Sequence, residues 1–554
     1  MPAETNPVRI QTLNTLFDEA AARWPGQTAL LVQERPAHAH AAPCCRNRKA
    51  RGEEHSITYK ELRCLILRAA SVFRAKGIGR GDSVAILHRN GLGFVVAYFG
   101  LSRIGATAVP INFMVQKADE LRYMLQDCRA KGIVTQRAFL REVFAAKTGL
   151  PDMEHVWMTE GPADATEDFW AELANVSPVE CPGEPAMSRP VLPQDTAAVL
   201  YTSGTTGKPK GAMLSHANIT ANCDAVLRHF QLREREVFLC LLPMFHSFAW
   251  TGSVVLPLLI GAEIVVVSSV TPAKPWLMRM GRRGVSVMLA VPQIFSVLAR
   301  QAVGWQGLFL RRWSFRKVRL CVSGAAPLAP QTAEEFRRAF GQPILEGYGL
   351  TETSPIVSVN TPAALRPGSV GRPLAGVEVR IADEEGRALA AGQEGEIHIR
   401  GHNVMQGYLN QPEATRESLS KDGWLKTGDV GILDSMGFLT IRDRLKDMII
   451  VKGLKVFPAQ LECILLENPN VQEAAVIGVP DETGDETIKA FIVLKKGAAA
   501  DKAALAHFCR QRLDPYKRPR DFEFVRELPK NSLQKVLKRI LRDKEIERRA
   551  TARA

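Results

Sequence analysis

Tyr201-Thr202-Ser203-Gly204-Thr205-Thr206-Gly207-Lys208-Pro209-Lys210-Gly211 is the stretch on which the reading of this chain turns. Residues 197–200, just before it, are an apolar run that reads as a strand. Gly204, Gly207 and Gly211 admit backbone conformations closed to other residues, so amide N–H groups can turn inward. Thr202, Ser203, Thr205 and Thr206 add hydroxyl donors, and Lys208 and Lys210 add positive charge. Converging donors and cations make a cradle for a polyphosphate. The pattern is not the G-x-x-x-x-G-K-[ST] loop: the glycine spacing is shorter, and Pro209 stands where a Mg2+-binding hydroxyl belongs. A Gly/Ser/Thr run is often a plain linker, but here strand, glycines, hydroxyls and lysines coincide.

Outward from this loop, short β-branched runs alternate with amphipathic stretches. Residues 84–87, 108–111, 264–267, 287–291 and 318–322 read as strands, and 92–104 as a helix. Such alternation predicts an α/β fold, a mostly parallel sheet covered by helices. The most apolar stretch, 253–270, is broken by Pro257, Gly261 and Glu263 and reads as buried strands and a turn rather than a membrane span. Two segments lack periodicity: the basic 35–54, which reads as an exposed loop, and 177–193, whose five prolines mark a connection. Near residue 440 the texture changes. A strand at 437–441 leads to a basic, hinge-like 442–446, and about 110 residues follow, enough for a small separate α+β domain.

Composition bounds the rest. At roughly 100–200 residues per domain, 554 residues allow several folding units. Ten cysteines with no C-x-x-C exclude a disulfide framework and a zinc ribbon. Residues 1–23 hold no apolar signal-peptide core, so the expectation is a cytoplasmic protein. The net charge of +14 admits nucleic acid, an anionic membrane or a polyanionic small ligand. Residues 504–554 carry 15 Lys and Arg against 7 Asp and Glu, more than half of that excess. No aromatic platform is interleaved with basic residues, so phosphate-bearing small molecules are expected as partners, not nucleic acid. Peripheral membrane contact is compatible with a fatty substrate, but no amphipathic motif stands out for it.

The glycine-rich loop closely resembles the signature of the adenylate-forming superfamily, and further matches follow in order. Gly324-Ala325-Ala326-Pro327 resembles its adenine-pocket segment, Tyr348-Gly349-Leu350-Thr351-Glu352-Thr353 its Y-G-x-T-E motif, and Thr427-Gly428-Asp429 its T-G-D motif. Residues 443–453 resemble the hinge and the loop after it, and 529–535 the catalytic-lysine motif. The resemblance spans nearly the whole chain. It implies an adenylation domain over 1–443 and a swivelling C-terminal domain over 444–554, pivoting at Lys446.

By the family's roles, residues 202–210 hold the β- and γ-phosphates of ATP, Thr351 meets the α-phosphate and Glu352 helps bind Mg2+. Tyr348 packs on adenine, Asp429 accepts the ribose hydroxyls, Arg444 supports ribose or phosphate, and Lys535 bridges carboxylate and α-phosphate oxygens. An anion approaching a polyanion needs such preorganised cations. After rotation, the loop with Lys452 and Gly453 lines the path of CoA. Each residue also has a plainer reading: Tyr348 a core aromatic, Glu352 an acid at a helix start, Asp429 a turn residue, Arg444 and Lys446 surface cations. Three departures stand out. Gln534 replaces the family's glycine before the lysine, leaving Lys530 and Lys538 as substitutes. Lys455 stands where a polar neutral residue is usual. The 35–54 segment is longer and more basic than a typical connection.

Amino-acid-activating relatives carry an aspartate where Pro243-Met244-Phe245-His246 has its histidine. An unpaired ammonium there is costly, so an amino-acid substrate is not expected. The segment looks like that of bacterial fatty acyl-CoA synthetases, in which His246 gates an acyl pocket with apolar neighbours Phe248, Trp250 and Val254. A core histidine capped by the backbone is the alternative. No insertion typical of fatty acyl-AMP ligases precedes the hinge. The expectation is therefore an AMP-forming fatty acid–CoA ligase using ATP, Mg2+ and CoA. An aryl or short-chain acid–CoA ligase is the alternative on the same scaffold, and an inactive nucleotide-binding homologue, suggested only by Gln534, the alternative of another class.

Overall fold

Helix Leu92–Arg103 is buried at every position. A helix apolar all round has to lie inside a fold rather than on it. It packs on helix Tyr59–Ala75, whose start is set by a reciprocal cap between Thr58 and Glu61. Gly100 permits the close approach, since a Cβ there would come within 2.7 Å of Ala69 Cβ. The chain is described here from a computed structural model covering residues 10–33, 54–115, 117–177, 190–202, 208–451, 454–480, 486–530 and 535–553.

Two large sheets flank this helix layer. Six parallel strands form the centre of a nine-stranded sheet, in the order Ile344–Gly349, Leu320–Ser323, Val287–Ala290, Val237–Cys240, Glu263–Val266 and Thr28–Val32, with antiparallel strands at its edges. The eight-stranded sheet has Ser83–Leu87, Thr107–Pro110 and Thr196–Thr202 in parallel, then turns antiparallel at Lys210–Ser215. The expected α/β alternation is thus present, with two parallel-centred sheets instead of one. Before the C-terminal part, a four-stranded antiparallel sheet runs from Val377 to Arg444.

One reading of the sequence is corrected. Residues 253–260 are not strand: Thr251–Val255 is a π-helical turn and Leu256–Ile260 an α-helix, ended by Gly261 at φ +80°. Pro257 lies in the first turn, where its missing N–H costs nothing. Only Glu263–Val266 of the apolar stretch is extended. Among the described residues no helix is long and apolar enough to cross a membrane.

The C-terminal part has its own core. Strands Val471–Pro480, Glu486–Leu494 and Asp521–Phe524 form one sheet. Val456, Leu461, Leu465, Ile488, Leu505 and Phe522 pack on it. The molecule is a mixed α/β protein with a large N-terminal and a smaller C-terminal part. The 35–54 and 177–193 segments fall mostly outside the described residues, although Glu54 meets Arg282 at 3.3 Å.

Candidate active site

The glycine-rich loop joins two antiparallel strands, with Tyr201 opposite Gly211 and Thr202 opposite Lys210. This is a hairpin, unlike the strand-to-helix turn of a P-loop. Ser203, Gly204, Thr205, Thr206 and Gly207 lie outside the described residues, so the structure reaches only the loop's shoulders. There Lys208 Nζ sits 5.4 Å from the Tyr123 ring centre and Lys210 Nζ 5.2 Å from that of Tyr408. Tyr201 is tied down by its hydroxyl, which donates to Asp127 Oδ2 at 2.7 Å.

Strand Gly407–Tyr408 pairs with Lys210–Ser215 and so carries Tyr408 to the acidic side of the site. Tyr408 Oη donates to Glu352 Oε1 at 2.9 Å. Glu352 and Thr351 lie in a 3-10 turn just after strand Ile344–Gly349. Leu350 N donates to Pro355 O at 3.0 Å, closing that turn tightly. Gly349 is required here because a Cβ would come within 1.9 Å of Pro355 O. Thr351 Oγ1 hydrogen-bonds Ser247 Oγ at 3.3 Å.

Asp429 is the hub of the other side. Its strand neighbour is Arg444, placed opposite it by register, and Arg444 Nε reaches Asp429 Oδ1 at 3.0 Å. Tyr348 Oη donates to Asp429 Oδ2 at 2.6 Å. Burial, and then the Asp429 carboxylate, push the Tyr348 hydroxyl far above its ordinary range, so it stays a donor. Burial is the largest single influence and opposes the Arg444 charge, but Asp429, Tyr348, Asp447 and Glu352 together hold the guanidinium above its usual value. Gly428, at φ +69°, donates its N–H to Glu396 Oε1 at 3.0 Å, which fixes the turn before Asp429.

Lys535 arrives from the C-terminal part. Burial, and then the positive charge of Arg444, lower its pKa to about 8, while Asp429 opposes the shift. The same ammonium acts on His246, which burial first and Lys535 second bring down to about 4. Lys535 is thus close enough to Arg444, Asp429 and His246 for their charges to act on one another. Lys530 and Lys538 are engaged elsewhere, at 2.7 Å from Glu473 and 2.8 Å from Glu462. Gln534 lies outside the described residues, as do Lys452 and Gly453.

His246 caps the helix Ser247–Trp250, its Nδ1 accepting from Phe248 N at 3.4 Å. Phe248 faces Gly324, where a Cβ would come within 3.1 Å of its ring. Ala325 follows at φ +68°, a conformation that L residues adopt only at a cost, and Ala326 and Pro327 complete the turn. Trp250, expected as a pocket wall, packs instead into the aromatic core, 5.1 Å from Phe94 and 4.3 Å from Tyr98 between ring centres. Lys446 sits in the 3-10 turn Leu445–Asp447, its pKa lowered by burial and then by Arg444. Beside it, Asp443 Oδ2 accepts from Ala459 N at 2.7 Å, tying this turn to the helix Pro458–Leu466. The sequence reading missed Tyr408, Ser247 and the hydroxyl role of Tyr348. Tyr408 lies 56 residues from Glu352, beyond any local pattern.

Residues 17–409 match the AMP-binding enzyme family, and residues 460–535 match the AMP-binding enzyme C-terminal domain. The chain belongs to the AMP-binding enzymes. It is 32% identical over 571 residues to a long-chain-fatty-acid–CoA ligase of Salmonella typhimurium, covering 98% of this chain and 96% of that one. A sulfoacetate–CoA ligase of Cupriavidus necator is also 32% identical, over 97% of this chain and 98% of its own. The crystal structure of an anthranilate CoA ligase with anthranoyl-AMP superposes at a TM-score of 0.84, with 26% identity over 98% of this chain and 99% of that one. The family carries the coarse activity: an adenylate-forming acyl-CoA ligase that works on ATP, an acid and CoA. These relatives differ in the acid they take.

Among the described residues no three His, Cys, Asp or Glu side chains gather to hold a metal. Glu352 with nucleotide phosphates still suits Mg2+, which is commonly bound through one or two carboxylates plus phosphate and water.

Proposed function

We propose that this enzyme activates a medium- to long-chain fatty acid with ATP and then transfers the acyl group to CoA. In the first step a carboxylate oxygen of the acid attacks the α-phosphorus and pyrophosphate leaves. In the second the CoA sulfur attacks the acyl carbonyl and AMP leaves. What supports the reading is the Asp429 carboxylate held by Arg444 at 3.0 Å and Tyr348 at 2.6 Å, with Lys535 near enough for the charges of Asp429 and Arg444 to act on it. Lys535 offsets the charge of carboxylate and α-phosphate as they approach. The 202–210 loop, Lys208 and Lys210 included, holds the outer phosphates. Thr351 orients the α-phosphate, steadied by Ser247. Tyr348 and Arg444 hold Asp429 with its oxygens aligned for the ribose hydroxyls, and residues 324–327 border the adenine. Mg2+, held by Glu352 and the phosphates, would neutralise pyrophosphate as it leaves. Lys446 is the pivot on which the C-terminal part withdraws Lys535 for the second step, bringing Lys452 and Gly453 toward CoA.

A fatty acid is favoured for two reasons. His246 stands where amino-acid-activating relatives carry an aspartate, so an amino acid's ammonium would lack that counter-ion. The neighbouring surface of Phe248 and Val254 is apolar and buried, and the long-chain-fatty-acid ligases are similar over nearly the full chain. ATP–pyrophosphate exchange with a panel of acids tests this. Palmitate or a medium-chain acid should outperform benzoate and amino acids, and preference for an aromatic acid would move the assignment to an aryl acid.

A further inference from the structure

Residues 264–333 contain ten Lys and Arg and no Asp or Glu. Four of these cations have carboxylates from elsewhere: Arg279 and Arg282 face Glu54 at 3.9 and 3.3 Å, Arg283 meets Glu263 at 2.6 Å, and Arg319 meets Glu236. Arg300, Arg311, Arg312, Arg316 and Lys317 form no ion pair with a carboxylate among the described residues. They cluster around helix Gly304–Phe309 and the π-helical turn Leu310–Ser314.

The same segment presents large apolar side chains to solvent. Trp305 is 86% exposed and Val303 72%, with Val297, Leu308 and Phe309 also exposed. The backbone beneath is well anchored. Leu310 and Phe315 are buried, and Trp313 fits over Gly281, where a Cβ would come within 2.2 Å of its ring. Phe309 stacks on Trp313 at 6.4 Å, and the Arg316 guanidinium lies 5.1 Å over the Trp313 ring. Large apolar side chains exposed together in this way mark an interaction surface.

We propose that residues 297–317 dock the enzyme on an anionic lipid bilayer. Trp favours the headgroup boundary, Phe and Leu suit insertion just beneath it, and each cation near an anionic surface adds attraction. Nucleic acid would answer the charge but leave Val303, Leu308 and Trp305 without a partner. A bilayer on this patch would leave the site uncovered. The patch precedes strand Leu320–Ser323, whereas Gly324 of the site follows that strand, so patch and site lie toward opposite ends of the sheet. The inference uses no residue of the site, and its failure would leave the ligase reading intact.

Co-sedimentation of the full chain with phosphatidylcholine vesicles, with and without phosphatidylglycerol, tests it. Binding should require the anionic lipid and weaken with salt. Arg311→Gln with Arg312→Gln should lower the partition coefficient on the order of thirtyfold, about fivefold per cation. Trp305→Ala should lower it as well, while both variants keep wild-type turnover of a water-soluble acid. Brominated phosphatidylcholine mixed with phosphatidylglycerol should quench wild-type tryptophan fluorescence, and Trp305→Phe should remove most of that quenching. Equal binding to neutral vesicles, unchanged binding of the variants, absence of quenching in the wild type, or loss of a dimer on substitution in place of lost lipid binding would each overturn the proposal.

Discussion

Raising the pH should switch off the first half-reaction through Lys535. Burial and Arg444 hold its pKa at about 8 in the free enzyme, against Asp429 pulling the other way. In the proposed role the lysine acts as a cation, so the active form is the protonated one and is lost as pH rises through that value. For a single group of this pKa, kcat/KM for ATP falls about tenfold between about pH 7 and pH 9. The limb in kcat should lie higher, because bound polyphosphate favours the ammonium. The assay is ATP–pyrophosphate exchange at limiting and at saturating ATP across this range. Lys535→Ala should slow exchange roughly 10²–10³-fold and abolish the limb. It should spare thioester formation from supplied acyl-AMP. Arg444→Met should move the limb upward, since it removes a repelling charge and frees Asp429 to attract the ammonium. A wild-type profile flat to about pH 10, a limb that survives in Lys535→Ala, or equal loss of both half-reactions would refute the reasoning.

Tyr348→Phe removes a 2.6 Å hydrogen bond to a buried carboxylate that keeps its Arg444 partner, so urea unfolding should show a loss of about 1.5 kcal/mol, with a raised KM for ATP. Gly349→Ala must displace the Thr351–Thr353 turn from Pro355 O; a loss of about 3 kcal/mol by thermal melting, with exchange activity falling in the protein that still folds, is expected. Lys446→Pro restricts the pivot, so pyrophosphate exchange should persist while acyl-CoA release stops; unchanged overall turnover would argue against the hinge. His246 should set no pH limb above about 5, because its ring is already neutral there; an acid limb near pH 6.5 that His246→Gln removes would contradict its burial.

Strands were readable wherever β-branched runs ended at turns, as at Ser83–Leu87 and Thr107–Pro110. Residues 253–260 were misread because burial on every side erases helical periodicity, and an apolar run without periodicity reads equally as strand. Trp250 reads as a pocket wall beside Phe248 in sequence, but the structure packs its ring against Phe94 and Tyr98. The charge excess was read as a C-terminal feature, although the acid-free stretch at 264–333 holds an even larger share. Its meaning became visible only once exposure separated the paired cations from the unpaired ones.

By itself the sequence determined the α/β class, the order of the nucleotide-binding motifs and the kinds of side chain an adenylation site needs. These are local properties, written in spacing of a few residues. Tertiary structure decided which groups act together. Strand register sets Arg444 opposite Asp429, and packing brings Tyr348 to that carboxylate from 81 residues away. It also brings Lys535 within range of Arg444 and Asp429, while Lys530 and Lys538 pair with Glu473 and Glu462. Local propensity does not encode the burial and the distant charges that move a lysine's pKa.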